Sequence, residues 1–194
     1  MKSQRKEIIS YFRQMDRSFF MDSNKELAIF DHALPIGFEQ TISQPSLVLE
    51  MTLALDPQPE QKVLELGTGS GFQTALLAAF SGSVYTIERI EELQNRAKER
   101  LGQLGFQNIQ FKLGDGSEGW YEQAPFDRIM VTAAASEVPK ELLEQMNKGG
   151  KMVIPVGSSF SQELRLIEKD NNGKLHTTLL NEVLFVPLKG KYEK

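Results

Sequence analysis

Seven residues, Glu65-Leu66-Gly67-Thr68-Gly69-Ser70-Gly71, constrain the fold of this chain more than any other stretch. They join a short apolar run, KVLEL, to GFQTALLAAF, whose apolar spacing predicts a helix. Glycines between a strand and a helix let the backbone approach a ligand closely, and the helix start supplies free N–H groups. A dinucleotide loop would read G-x-G-x-x-G. Here the third glycine comes one residue early and Phe72 stands in its place. No Gly-Lys-Ser/Thr follows, so the stretch is not a Walker loop either.

The pattern around this loop repeats. SVYTIE predicts a second strand, Ile90 to Leu104 a charged amphipathic helix, NIQFKLG a third strand, DRIMVTAA a fourth and KMVIPV a fifth. ELLEQMNKGG, closed by glycine, predicts a helix before the fifth strand. Strands alternating with helices imply an α/β fold, doubly wound, with a mostly parallel sheet and helices on both faces. LRLIEKD and LLNEVLFVPL flank an Asn-Asn-Gly turn, which predicts an antiparallel end to the sheet. Upstream, Ile8, Ile9, Phe12 and Met15 recur at helical spacing, and Pro45 opens a helix through Leu55. Between them LPIGFEQTISQP, residues 34–45, reads as a polar, turn-prone hinge. The whole, 1–194, is expected to be one domain, with 1–56 a helical and loop region closing over a cofactor site.

Acids end the successive strands. Glu65 ends the first strand, at the glycine loop. Glu88 ends the second strand, where an acid can accept from ribose hydroxyls. Asp115, in Gly114-Asp115-Gly116, ends the third and is placed to accept from an adenine amino group. The acid-x-G-x-G-x-G loop resembles the nucleotide loop of class I methyltransferases, which bind S-adenosylmethionine. That resemblance implies a cofactor site of Glu65, Gly67, Thr68, Gly69, Gly71, Glu88, Asp115 and Gly116, with Glu65 behind the loop, fixing its amides or meeting the cofactor's amino-acid end.

Composition then removes several chemistries. The chain has no cysteine, so it can form no disulfide, thiolate zinc site or cysteine nucleophile. With two histidines, His32 and His176, far apart in the chain, no metal site is expected. Net charge is −4, and the basic residues of EELQNRAKER are balanced by acids, which speaks against a nucleic-acid partner. No run reaches the length of a membrane span, and the N-terminus lacks the apolar core of a secretory signal. A cytoplasmic monomer is the expectation. Cytosine C5 methylation would need a cysteine, and Thr132-Ala133-Ala134-Ala135 stands where base N-methylation places Asn/Asp-Pro-Pro-aromatic. A carboxylate nucleophile needs none of these groups, because it is already ionised near neutral pH.

PIGFEQTISQP is similar to a segment of the protein-L-isoaspartate O-methyltransferase family. VLELGTGSGFQTALLA, IERI, GDGSEGW, APFDRIMVTAAASEVP, GGKMVIPVG and FVPL resemble further signatures of that family, in family order. The resemblance runs from about Arg17 to Leu188. It implies methylation of the α-carboxyl group of L-isoaspartyl residues in damaged proteins, the ester then collapsing to a succinimide that opens partly to aspartate. It implies Ser43 as the active-site hydroxyl, orienting the substrate carboxylate. Ser43 also reads as a cap for the helix at Pro45. Ile36, Gly37 and Phe38 match the segment closing over the cofactor, and Val186 and Pro187 a strand end flanking the substrate cleft. Glu39 departs from the family, which has glycine there, and is expected to face solvent. The alternatives are a methyltransferase of the same fold acting on another carboxylate or on RNA, and a cofactor-binding module without catalysis.

Overall fold

The computed structural model describes residues 4–192. Its centre is a seven-stranded sheet in the order β5-β4-β3-β6-β7-β8-β9. These strands are β3 (Lys62–Leu66), β4 (Ser83–Glu88), β5 (Ile109–Leu113), β6 (Phe126–Val131), β7 (Met146–Gly157), β8 (Gln162–Lys169) and β9 (Leu175–Val183). Pairs from β5 to β7 are parallel, while β7–β8 and β8–β9 are antiparallel. The Asn171-Asn172-Gly173 turn joins the last two, as expected, with Asp170 and Lys174 hydrogen-bonded across it.

Side chains alternate across each strand, and the cores follow. Val63, Val84, Met130 and Val153 face α2 (Pro45–Leu55) and α3 (Phe72–Phe80). Leu64, Leu66, Ile87, Ile129 and Ile154 face the other way, toward Leu142 of α5 (Lys140–Gln145) and Leu188 near the C-terminus. A third cluster lies outside the sheet, where α3 and α4 (Glu91–Gln103) meet α1 (Arg5–Phe12) through Ile8, Phe72, Leu76, Leu93 and Leu101. No helix among the described residues is long and apolar enough to cross a membrane.

Three segments differ from the sequence expectation. Residues 34–45 do not form a loose hinge: Leu34–Gly37 (β1) and Gln40–Ile42 (β2) pair as an antiparallel hairpin. The helix of ELLEQMNKGG ends at Gln145, and Met146 already belongs to β7, paired with Phe126. Pairing beside a buried parallel strand outweighs helical spacing there. Finally, β9 stops at Val183, and the following residues leave the sheet edge for the end of β6. Ala134 donates to the Val186 carbonyl and accepts from the Leu188 N–H, each at 2.8 Å.

Candidate active site

Strand order reverses direction between β3 and β6, the place where open α/β sheets bind ligands. A cleft of about 780 Å³, counting solvent at its mouth, opens there. It brings together Ser43, Gly67, Thr68, Gly69, Glu88, Gly116, Val186 and Pro187 from the sequence-derived site. Segments distant in sequence thus converge because the hairpin, the glycine loop, two strand ends and the returning C-terminal segment all meet at one edge.

The glycine loop is shaped for close approach. Gly67 has φ +93°, and a Cβ there would overlap the Thr132 hydroxyl. That hydroxyl donates to the Leu66 and Gly67 carbonyls at 2.9 and 2.8 Å, pinning the loop to the end of β6. Behind the loop lies Glu65, fully buried. Its Oε2 accepts from Thr74 of α3 at 2.6 Å and from Thr86 of β4 at 2.7 Å. Thr86 has spent its proton on Glu65, so Thr68 donates to Thr86, at 2.6 Å. The carboxyl therefore fixes loop, strand and helix through hydroxyls rather than through loop amides. Burial pushes its pKa up to about 8, against the two threonine hydrogen bonds, which lower it.

The loop amide is held by Glu88 instead. Its Oε2 accepts from the Gly69 N–H at 2.9 Å, and its Oε1 from the Arg89 and Ile90 N–H groups at 2.9 and 3.0 Å. A carboxylate has about four acceptor positions, so about one remains for a ligand in this arrangement.

Ser43 lies on the opposite wall. Its hydroxyl makes no hydrogen bond among the described residues, while its backbone is firmly placed. Arg17, 5% exposed, donates to the carbonyls of Ala28, Phe30, His32, Ile42 and Ser43 at 3.4, 3.0, 2.8, 3.3 and 3.0 Å. Nor does Ser43 cap α2, as the sequence suggested. The N-cap is Gln44, without a side-chain cap bond. Asp31 does the work from a distance, accepting from the Ser46 N–H at 2.8 Å and from the Gln44 amide at 3.0 Å. The Ser46 N–H holds the Asp31 carboxyl below the usual range.

Six expected residues do not line the cleft: Glu65, Gly71, Asp115, Ile36, Gly37 and Phe38. Asp115 caps a short 3-10 turn, accepting from the Ser117 N–H at 2.8 Å, and Gly190 packs against its carboxylate with no room for a Cβ. Ile36 reaches over the loop, its Cδ1 3.7 Å from where a Cβ on Gly69 would sit. Phe38 lies at the hairpin tip under the Arg96 guanidinium, 5.9 Å from the ring centre. Conversely, Thr41, Thr132, Leu188 and Lys189 line the cleft without having been singled out. The signal for Thr132 was its place at the end of a strand beside the reversal. The C-terminal pair became adjacent only through the turn away from β9. His32 and His176 line neither wall, and no group of metal-binding side chains occurs among the described residues.

The cleft fits S-adenosylmethionine by its own features. It offers a glycine-lined approach at Gly67 and Gly69, apolar walls from Ile42, Val48, Ile87 and Leu188, and one carboxylate with acceptor capacity, Glu88.

Comparison with known proteins agrees with this geometry. The family model for protein-L-isoaspartate(D-aspartate) O-methyltransferase matches residues 2–193. A protein-L-isoaspartate O-methyltransferase of Dictyoglomus turgidum is 50% identical over 192 residues, covering 98% of this chain and 86% of that protein. One of Pseudomonas aeruginosa is 48% identical over 183 residues, covering 93% and 86%. Among solved structures, a protein-L-isoaspartate O-methyltransferase superposes with a TM-score of 0.84 at 24% identity, covering 97% of this chain and 67% of the other. A Plasmodium falciparum chain of the same kind, solved with S-adenosyl-L-homocysteine, gives 0.76 at 24% identity, covering 97% and 99%. The sheet order, the glycine loop and the near-complete match together lead to one statement: the chain belongs to the protein-L-isoaspartate(D-aspartate) O-methyltransferase family.

Proposed function

We propose that this protein methylates the α-carboxyl group of L-isoaspartyl residues in damaged polypeptides, with Ser43 as the hydroxyl that orients the carboxylate. The observation that carries the reading is the convergence of Ser43 and the glycine loop on one cleft, from segments remote in sequence. S-adenosylmethionine supplies a methyl group on a sulfonium, so alignment and the state of the acceptor decide the rate. An isoaspartyl carboxylate is ionised at neutral pH and needs no base. It needs a donor that tolerates its charge, and the unengaged Ser43 hydroxyl is one. Gly67, Thr68, Gly69 and Glu88 hold the donor in this reading, with Gly116 at the adenine end. Glu65, Gly71 and Asp115 support them from behind. The region 1–56 closes over the cleft, with Ile36, Gly37 and Phe38 as its cover, and Val186 and Pro187 flank the substrate.

The test is incubation with labelled S-adenosylmethionine and matched isoaspartyl and aspartyl peptides. Base-labile label on the isoaspartyl peptide alone is expected. Ser43→Ala should lower turnover by about 100-fold, on the scale of losing one positioned donor, while S-adenosylhomocysteine affinity measured by calorimetry holds within about twofold. Equal labelling of both peptides would overturn the substrate assignment. Undiminished turnover in the variant would remove Ser43 from the reaction.

A further inference from the structure

After β9 the chain returns to the carboxyl ends of the parallel strands and is tied there at three places. Ala134, beyond β6, is bonded to Val186 and Leu188. Gly190 lies against the Asp115 carboxylate, beyond β5. Lys191 and Tyr192 then reach α5, where both donate to Glu141: the Lys191 ammonium to Oε1, the Tyr192 hydroxyl to Oε2 at 2.6 Å. The Ser136 hydroxyl and N–H donate to the Tyr192 carbonyl at 3.1 and 3.4 Å. Between the first tie and the last, Val186, Pro187, Leu188 and Lys189 form one wall of the cleft, and Glu141 itself lines none of it. The Glu141 side chain is 9% exposed and that of Lys191 51%. An ion pair with one partner so exposed holds little by itself. The short phenol bond to a nearly buried carboxylate holds more. Lys191 first, and then Tyr192, draw the Glu141 carboxyl down to about 2, so this tie stays charged at neutral pH.

Resting on the donor site assigned above, and not on the identity of the acceptor, we propose that Glu141 is a positioning residue for the methyl donor. By latching Lys191 and Tyr192 onto α5 it holds residues 186–189 in place as the cleft wall, and so sets the affinity for S-adenosylmethionine. A wall tied at one end only samples many conformations, and a ligand that needs it ordered binds more weakly by that ordering cost. With the latch closed the segment is ordered before the donor arrives. The helix does not depend on the latch, because Leu142, fully buried in the sheet core, anchors α5. Loss of the Glu141 carboxylate therefore frees the C-terminal segment and leaves α5 seated. No motif marks Glu141, and it acts on the cleft only through the residues it holds.

The experiment compares the wild type with Glu141→Ala and with the exchanged pair Glu141→Lys/Lys191→Glu, in which the Tyr192 hydroxyl can accept from the new lysine. Calorimetry with S-adenosylhomocysteine reads donor-site affinity without any transfer. Glu141→Ala should raise that Kd, and the KM for S-adenosylmethionine on an isoaspartyl peptide, by about fivefold, because the ties at Ala134 and Gly190 remain. Turnover at saturating donor should stay within about twofold. The exchanged pair should bring Kd back to within about twofold of the wild type. A residue needed only for folding would lower turnover in proportion to the folded fraction and leave KM alone. That result, an unchanged Kd in Glu141→Ala, or an exchanged pair no better than Glu141→Ala overturns the latch. S-adenosylhomocysteine that fails to bind the wild type overturns the donor site and the latch together.

Discussion

A carboxyl group sealed beneath the glycine loop ties three elements together, and its ionisation sets a price on alkaline conditions. Glu65 titrates near 8 in the fold, against an ordinary value of 4.5. Between these values the folded chain holds a proton that the unfolded chain has released. Stability therefore falls as pH rises through that window, and the loss is complete above the folded pKa. Glu65→Gln keeps the shape and cannot ionise. The difference in unfolding free energy between variant and wild type should grow in the variant's favour by about 1.4 kcal/mol per pH unit within the window. Urea denaturation at a series of pH values from about 5 to 8 measures it. A difference that does not change with pH would mean that Glu65 is ionised in the fold.

Among the elements, the hairpin β1–β2 is under the greatest local strain. Its two turn residues, Phe38 and Glu39, have φ of +55° and +58°. Tight hairpin turns with positive φ at both positions favour glycine and asparagine, and a side chain in the left-handed region costs about 1–2 kcal/mol. Phe38 is compensated by Arg96, itself held by Asp22 at 2.9 Å and by Glu92. Glu39 has no such anchor, which gives a physical reason for the glycine that the family resemblance places there. Glu39→Gly should raise stability by about 0.5–1 kcal/mol, the relief being offset in part by the freer unfolded chain. Thermal unfolding would show it, and a lowered Tm would mean that Glu39 holds the turn. The hairpin also shows where the sequence was legible. Strands with apolar runs and the helices between them follow from periodicity, so the sheet and its antiparallel end were readable. The hairpin was not, because four- and three-residue strands leave too short a pattern. Likewise, Met146 and Asn147 look helical until Phe126 is beside them, and the remote cap from Asp31 crosses fifteen residues. The places of Ser43, Glu88, Gly67 and Gly69 at the cleft were legible as motif. Thr132 and Leu188 were not, since their places at the cleft depend on which surfaces the packed elements leave facing one another.

At the scale of the molecule, the cleft is bounded by elements that do not otherwise share a core: the hairpin belongs with α1, α3 and α4, the strand ends with α5 and the C-terminal segment. A ligand in that cleft joins both halves and binds only the folded chain. At a hundredfold excess over Kd, S-adenosylhomocysteine should stabilise by about 2.7 kcal/mol, a Tm rise of roughly 5–10 °C for a chain of this length. NAD at the same concentration should leave Tm unchanged, because the loop lacks the dinucleotide spacing. Equal shifts from both would refute that discrimination. Arg17 gives the same architecture a different consequence. Five carbonyls from two stretches of chain share one buried guanidinium, so this segment has no graded way to loosen: it is docked or it is released. The hydrogen bonds from Thr132 and Glu88 that hold the glycine loop come from strand ends and not from that segment. A molecule in which the segment has come free keeps that loop and loses together the Ile42 wall of the cleft and the serine assigned to the acceptor. Damage that frees this segment is then expected to leave inert copies, not a population of slower catalysts.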